Sequence, residues 1–184
     1  MDALVFAELA YAELGGIVPG PEGGSLTLRE AAERYEAEGR DQSKSANDPV
    51  PLMRRAAGSE RFGRALLSAY VDELDEGEQL QFAALTAELD DGSRFVAFRG
   101  TDNTIVGWRE DFNLGVLSET PGQRRAERYL NETAARHEGP LRVGTVTVTG
   151  LSISLPFGSI CLSEVTFDIE LNFFSTPYFR ALFS

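Results

Sequence analysis

Two β-like runs separated by a four-residue turn constrain the fold of this chain most. The runs are Gln81–Leu89 and Arg94–Phe98, and Asp90-Asp91-Gly92-Ser93 lies between them. An Asp-Gly pair is a strong hairpin signal because glycine accepts the positive φ that a tight turn requires. The sequence therefore predicts a β-hairpin whose second strand ends near Phe98.

Helical patterns precede and follow this hairpin. Asp2 can cap the first of them, and Thr27-Leu28-Arg29-Glu30 is a capping box that begins a second helix ending at Gly39. A third helix is predicted between Pro121 and Gly139-Pro140. Apolar residues at helical spacing support the first helix (Leu4, Val5, Leu9, Leu14) and the third (Ala126, Tyr129, Leu130, Ala134).

Two groups of ionisable residues are interpreted as structural. The acidic segment Asp72–Glu78 is expected to be a solvated helix end or loop, because charge runs usually lie on the surface. A metal site there is the alternative, but its carboxylates come without histidine and without an EF-hand pattern. His137 is the single histidine, and we expect it in the last turn of the third helix, where a partly positive imidazole suits the helix carbonyl groups.

The segment Phe98-Arg99-Gly100-Thr101 ends the hairpin in a way that suits acyl transfer. That reaction builds negative charge on a carbonyl oxygen, and an enzyme needs fixed hydrogen-bond donors there. Thr101 would supply a backbone N–H and a hydroxyl, and Gly100 would let the main chain approach the substrate. Thr101 is therefore a candidate oxyanion-hole residue, and an ordinary Gly-Thr turn after a buried strand is the alternative.

Related motifs extend over most of the chain. They are Arg61-Phe62-Gly63, Tyr70-Val71-Asp72-Glu73, Gln81-Phe82-Ala83-Ala84-Leu85-Thr86, Phe95-Val96-Ala97-Phe98-Arg99-Gly100-Thr101-Asp102 and Gly107-Trp108-Arg109-Glu110-Asp111-Phe112-Asn113. From Asp2 to about Gly144 the chain resembles the Mbeg-like proteins, a bacterial family of lipase-like α/β-hydrolases of unknown function that are distantly similar to class 3 lipases.

This resemblance implies an α/β-hydrolase-like fold, in which helices flank a mixed sheet. It also implies serine esterase or lipase-like hydrolysis of a small-molecule or lipid ester, without a cofactor or a metal. The region from Asp102 to Leu114 corresponds to the lid of class 3 lipases, where Trp108 would be an aromatic anchor. The alternative is that Trp108 and Phe112, at i and i+4, pack a short helix onto the core.

A nucleophile elbow of the form Gly-x-Ser-x-Gly is expected next in such a hydrolase. Gly150-Leu151-Ser152-Ile153-Ser154 supplies the first glycine and the serine, but leucine stands in place of the family's histidine and Ser154 in place of the second glycine. Ser152 is the candidate nucleophile, and a structural hydroxyl is the alternative. Because no histidine follows Ser152, the order serine, acid, histidine cannot be completed. We therefore expect this chain to be inactive. A second hypothesis is a non-catalytic fragment that acts as an acidic interaction module.

Residues 145–184 depart from the family resemblance. After Ser152 a hydrolase continues into a helix, whereas Val165–Phe173 alternates like a strand. A shift of the reading frame by one base near the codons for Val143–Val148 would permit a sequence similar to the nucleophile elbow. We therefore interpret residues 145–184 as the divergent or frameshifted tail of one incomplete domain spanning residues 1–184. We predict either a strand over Val165–Phe173 or disorder after Ser152, with self-association through the tail where its phenylalanines stay exposed.

Charge and composition argue against several classes of protein. A net charge of −12 disfavours nucleic acid as a partner. No apolar run reaches the roughly 18 residues of a transmembrane segment. The N-terminus lacks the basic region of a signal peptide, and the single cysteine, Cys161, cannot form an intramolecular disulfide. We expect a cytoplasmic protein.

Overall fold

The computed structural model describes residues 2–40, 48–77, 80–99, 121–137, 141–146 and 165–167. The helices in these ranges are α1 (Asp2–Leu9), α2 (Leu28–Ala37), α3 (Val50–Gly58), α4 (Glu60–Gly63) and α5 (Pro121–Arg136). The strands are β1 (Ser25–Thr27), β2 (Leu66–Asp75), β3 (Leu80–Glu88), β4 (Arg94–Arg99), β5 (Leu141–Val146) and β6 (Val165–Phe167).

The predicted hairpin is confirmed as β3 and β4. The two strands pair in antiparallel register from Ala83 opposite Arg99 to Glu88 opposite Arg94. Gly92 has a φ of 77°, and the Ser93 backbone N–H donates to the Asp91 carboxylate over 2.9 Å. The turn therefore forms from local interactions that the sequence itself specifies.

The described strands form one mixed sheet in the order β1-β2-β3-β4-β5-β6. Neighbours from β1 to β4 are antiparallel, whereas β4, β5 and β6 are parallel. Helix α5 lies in the connection between β4 and β5, as a parallel pair requires a crossover. The predicted α/β class, a mixed sheet with helices, is confirmed.

Apolar residues cover both faces of the sheet. Along β4, Phe95 and Ala97 join the core beneath α1, α2 and α3, whereas Val96 and Phe98 join the core beneath α5. This alternation follows from the two-residue period of a strand, and β4 is apolar from Phe95 to Phe98 because both of its faces are covered there. The sheet is thus the middle layer between two helical layers.

The capping box of α2 is confirmed in full. The Thr27 hydroxyl accepts from the Glu30 backbone N–H, and the Glu30 carboxylate accepts from the Thr27 backbone N–H. Helix α5 begins at Pro121 as predicted. Helix α1 is shorter than the apolar pattern predicts, because it ends at Leu9. Leu14, which the pattern includes, is buried in the turns that follow the helix.

Part of the C-terminal tail extends the sheet. Strand β6 pairs with β5 in parallel, with Val165 opposite Leu141 and Phe167 opposite Val143. The strand predicted over Val165–Phe173 is therefore confirmed for its first three residues, and the remainder lies outside the described residues. Within the described ranges, no helix has the length and apolar character to cross a membrane.

Candidate functional site

The carboxyl ends of β4 and β5 meet at one edge of the sheet, here called the carboxyl edge. The register runs from Arg94 opposite Leu141 to Arg99 opposite Val146, so the two strands end side by side. Ligands of open α/β sheets bind outside such strand ends. The chain continues from these two strand ends toward the candidate residues Thr101 and Ser152, respectively.

Both candidate residues lie outside the described residues. The same holds for Trp108 and Phe112 of the expected lid and for the tail beyond Phe167. What the structure describes is the pair of strands that lead to Thr101 and Ser152, and the side chains around the ends of those strands.

An arginine–aspartate pair lies at the carboxyl edge. The Arg99 guanidinium donates to both oxygens of Asp72, over 2.7 and 3.1 Å. The Tyr70 hydroxyl lies 3.2 Å from Asp72 Oδ2 and 3.2 Å from the Ala12 carbonyl oxygen. Burial and the negative charge of Asp72 raise the pKa of Tyr70, so its phenol stays a neutral donor.

A second bidentate pair joins α5 to the next residue of β2. Arg125 donates to both Glu73 oxygens, over 2.7 and 2.9 Å, and its guanidinium lies 5.0 Å from the centre of the Phe82 ring. The hydrogen bonds to Glu73 raise the pKa of Arg125. This pair fixes the first turns of α5 against the sheet.

The expectation of a solvated helix end or loop at Asp72–Glu78 is confirmed for exposure, since residues 72 and 74–77 are exposed, but it is wrong for the secondary structure of residues 72–75. Residues 72–75 belong to β2, and Asp72 and Glu73 bind arginines that lie 27 and 52 positions further along the chain. Sequence reasoning missed these partners because the pairing of strands and the docking of α5 bring them together. Among the described residues, no group of three or more His, Cys, Asp or Glu side chains could hold a metal ion.

His137 lies at the opposite edge of the sheet, here called the amino edge. It follows the end of α5, and its backbone N–H donates to the Ala134 carbonyl oxygen. The charges that act on its imidazole include those of Arg94, at the start of β4, and Glu88, opposite Arg94 in the hairpin. Since β4 rises about 3.3 Å per residue, roughly 16 Å of strand separates this position from the carboxyl edge.

The expected partly positive imidazole of His137 is wrong. Burial lowers the pKa of His137 most, and the positive charge of Arg94 lowers it further, while the negative charge of Glu88 opposes them and Arg136 adds the smallest contribution. Arg136 is the preceding residue in the sequence, whereas the burial of the ring and the nearby charge of Arg94 arise only in the fold. The imidazole is neutral at neutral pH.

We expect the pKa of His137 to fall below its ordinary value of 6.5. The unfolded chain then takes up the proton first. The stability contributed by the neutral ring is fully present above about pH 6.5. It is lost as the pH falls through the lower pKa that His137 has in the folded protein. Because the chain has one histidine, its imidazole proton resonances give the titration directly by NMR. The His137→Gln variant should lose this part of the pH dependence of unfolding, and a midpoint at or above 6.5 would contradict the prediction.

A cavity of about 230 Å³ lies at the amino edge, here called the amino-edge cavity. Its residues on β3 are Thr86 and Glu88, which pair with Val96 and Arg94 in the first half of β4, away from the carboxyl edge. The cavity is bounded by the loop before β1, the starts of β1 and β2, the end of β3 and the last turn of α5. Its lining residues are Pro21, Gly23, Gly24, Ser25, Leu66, Ser68, Ala69, Thr86, Glu88, Thr133, Arg136 and His137.

A buried hydrogen-bond chain adjoins this cavity. The Tyr129 hydroxyl donates to the Ala69 carbonyl oxygen over 2.8 Å and lies 2.9 Å from the Thr86 hydroxyl oxygen. A phenol has one proton, so Thr86 is the donor in the second bond. Ala69 has a φ of 53° at the irregularity between Ser68 and Val71, a left-handed conformation that is uncommon for alanine. Sequence analysis identified Tyr129 only as an apolar residue of its helix.

The described architecture and the family comparison identify the class of this protein. A mixed sheet between helical layers, with the β4-α5-β5 crossover, defines an α/β protein. The family model described as Mbeg1-like matches residues 56–154, more than half of the chain, and the chain belongs to the Mbeg1-like family.

The matched range differs from the expected one at both ends. It begins after Asp2, in α3, and extends beyond Gly144 to include Ser152. Comparison with curated proteins and with solved structures found no match in either set. The family match therefore supports the family assignment, and it covers both strands that lead to the candidate site.

Proposed function

We propose that this chain has the scaffold of a serine hydrolase of the esterase or lipase-like type, and that by itself it hydrolyses esters at close to the background rate. The observation that supports the scaffold is the parallel β4–β5 pair. Its strands end side by side at Arg99 and Val146, and the chain runs on from there toward Thr101 and Ser152. Such an edge can hold an oxyanion donor and a nucleophile close together.

The proposed chemistry needs a proton acceptor for Ser152. Its Oγ would attack the ester carbonyl carbon, and the backbone N–H groups of Thr101 and Ile153 would donate to the oxyanion that forms. The C–O bond to the alcohol then breaks, and the alcohol leaves with the serine proton. Water then attacks the acyl-serine ester, so that the carboxylic acid leaves and the Ser152 hydroxyl is restored. A general base normally removes the serine proton and returns it to the leaving alcohol.

The position of His137 argues against its acting as this base. It lies at the amino edge, next to Arg94 and Glu88, whereas the proposed reaction belongs to the carboxyl edge. Roughly 16 Å of strand separates the two edges. Ser152 would therefore be little more nucleophilic than a free hydroxyl.

A non-catalytic role as an acidic interaction module is the second candidate. It is favoured by the same position of His137 and by the net charge of −12. The two candidates differ in whether Ser152 can be activated at all, and an added base can test this difference.

The test is labelling by a fluorophosphonate probe with and without imidazole, read by mass spectrometry of the modified peptide. We expect almost no adduct without imidazole and at least a roughly tenfold faster reaction at Ser152 with it, because a positioned base contributes about 10²-fold or more and free imidazole supplies part of that effect. Ser152→Ala should lose the adduct, and Ser154→Ala is the matched control that should keep it. Short p-nitrophenyl esters should show no turnover that depends on Ser152.

Two results would contradict the proposal in different ways. Rapid ester turnover that Ser152→Ala abolishes would mean that the chain holds a base after all. No imidazole-dependent adduct at Ser152 would favour the non-catalytic module.

A further inference from the structure

We propose that the amino-edge cavity is a binding site for a small, neutral hydroxylated molecule, an alcohol or polyol of a few carbon atoms. The proposal is independent of ester hydrolysis, because the cavity lies at the opposite edge of the sheet from the candidate residues. Its volume of about 230 Å³ is below the roughly 300–1,000 Å³ of pockets for drug-sized ligands, so the occupant is small.

The charged groups in the lining already have partners of opposite charge. Arg136 donates to the Pro21 carbonyl oxygen over 3.0 Å and forms an ion pair with Glu22. Glu88 accepts from Arg94 Nε over 2.8 Å. A cation in the cavity would have to compete with Arg94 for Glu88 in a partly buried pair, and an ion of either sign would give up hydration on entry, which is costly. A neutral ligand avoids this cost.

The remaining polar groups suit hydroxyl ligands. Ser25, Ser68, Thr86 and Thr133 line the cavity, and a hydroxyl group is both a donor and an acceptor. Thr86 gives its proton to Tyr129, so its oxygen has lone pairs that can accept from a ligand O–H. The neutral imidazole of His137 adds one donor and one acceptor.

The backbone of the cavity wall supports the same inference. Ala69 has a φ of 53°, and its carbonyl oxygen is held by Tyr129. Left-handed conformations of residues other than glycine cost free energy and cluster at ligand sites. Gly23 is also needed at the rim, because a Cβ there would lie 2.6 Å from Pro19 Cβ. The wall thus combines an uncommon backbone conformation at Ala69 with a close approach of the chain at Gly23.

Three probes of nearly equal size and different charge test the proposal. They are propane-1,2-diol, lactate and 1-amino-2-propanol, titrated into the ¹⁵N-labelled full chain while amide shifts are followed by NMR. We expect saturable shifts for Gly24, Ser68, Ala69 and Thr86 with the diol, with a dissociation constant in the millimolar range. The two charged probes should bind at least about fivefold more weakly, since each loses more hydration than the neutral diol on entering the cavity.

Two variants locate the binding. Ser25 is exposed at the mouth of the cavity, so Ser25→Leu should block the cavity without disturbing the core. Glu76→Leu adds the same side chain at an exposed turn at the far end of β2 and should leave diol binding unchanged. Thr86→Val removes the acceptor at similar volume and should weaken binding severalfold.

The proposal is overturned if the diol gives no saturable shifts in the wild-type chain, or if either charged probe binds as well as the diol. It is also overturned if Ser25→Leu binds the diol like Glu76→Leu does. Fluorophosphonate labelling of Ser152 does not depend on any of these outcomes, so the two proposals fail separately.

Discussion

Replacing Phe95 with alanine is expected to lower the free energy of unfolding by about 3–5 kcal/mol, because the cavity left by a large core side chain collapses only in part. Phe95 is 1% exposed at the start of β4, and its ring centre lies 5.2 Å from that of Phe6 in α1. The Arg142 guanidinium lies 5.5 Å from the same ring, on the neighbouring strand. The Phe95 side chain on β4 therefore contacts residues of both α1 and β5.

The matched control is Leu74→Ala on β2, where the side chain is 61% exposed. It should change stability by less than about 0.5 kcal/mol. Guanidinium unfolding curves of the three proteins measure both effects, and equal midpoints for Phe95→Ala and Leu74→Ala would contradict the described core. Phe95→Leu, with an expected cost of about 1 kcal/mol, keeps the test available if the alanine variant does not fold.

The elements that the sequence predicted correctly depend on interactions within a few residues. The hairpin forms around Gly92 and Asp91, the capping box links Thr27 to Glu30, and Pro121 begins α5. Each of these features depends on the backbone conformation of one residue or on a hydrogen bond between a side chain and a backbone group a few residues away. None of them needs a partner from a distant part of the chain. Such features can be identified from sequence alone.

The features that were missed depend on residues far apart in the chain. The acidic segment pairs with Arg99 and Arg125 only because β2 lies beside β3 and beneath α5. The lowered pKa of His137 likewise depends on Arg94 in another element. A charge run by itself predicts solvation, since its counter-charges become visible only in the fold.

The sequence predicted the features of the carboxyl edge better than those of the amino edge. At the carboxyl edge, the strand before Thr101 was predicted from the sequence, and its parallel pairing with the strand before Ser152 fits the predicted α/β class. Thr101 and Ser152 themselves lie outside the described ranges. The amino-edge cavity was not anticipated. Its walls come from four separate segments, and the irregularity of β2 at Ala69 has no local signature in the sequence.

The second large effect is expected at Tyr129, which is 2% exposed and packs against Phe82 and Phe98 with ring centres 6.1 and 5.9 Å away. Tyr129→Ala should cost about 3–5 kcal/mol through lost packing. Tyr129→Phe should cost about 1–3 kcal/mol, because the half-buried Ala69 carbonyl oxygen loses its donor and the buried Thr86 hydroxyl loses its acceptor. Thr86→Val is the matched comparison. It should cost less than Tyr129→Phe, since Tyr129 then still donates to Ala69.

The pH dependence of unfolding gives an independent reading of the same hydroxyl group. Burial raises the pKa of Tyr129 from 10.0 to about 12. The unfolded chain therefore ionises first. The stability due to the neutral phenol is complete below about pH 10 and is lost as the pH rises toward 12. The pKa of Tyr70 is also raised, so Tyr70 contributes to the same pH dependence. Because Tyr70 is present in both proteins, its contribution cancels when wild type is compared with Tyr129→Phe. The variant should lose less stability than the wild type between these two pH values. An equal loss in both proteins, or a variant as stable as the wild type at neutral pH, would show that the Tyr129 hydroxyl does not hold the Ala69 bulge.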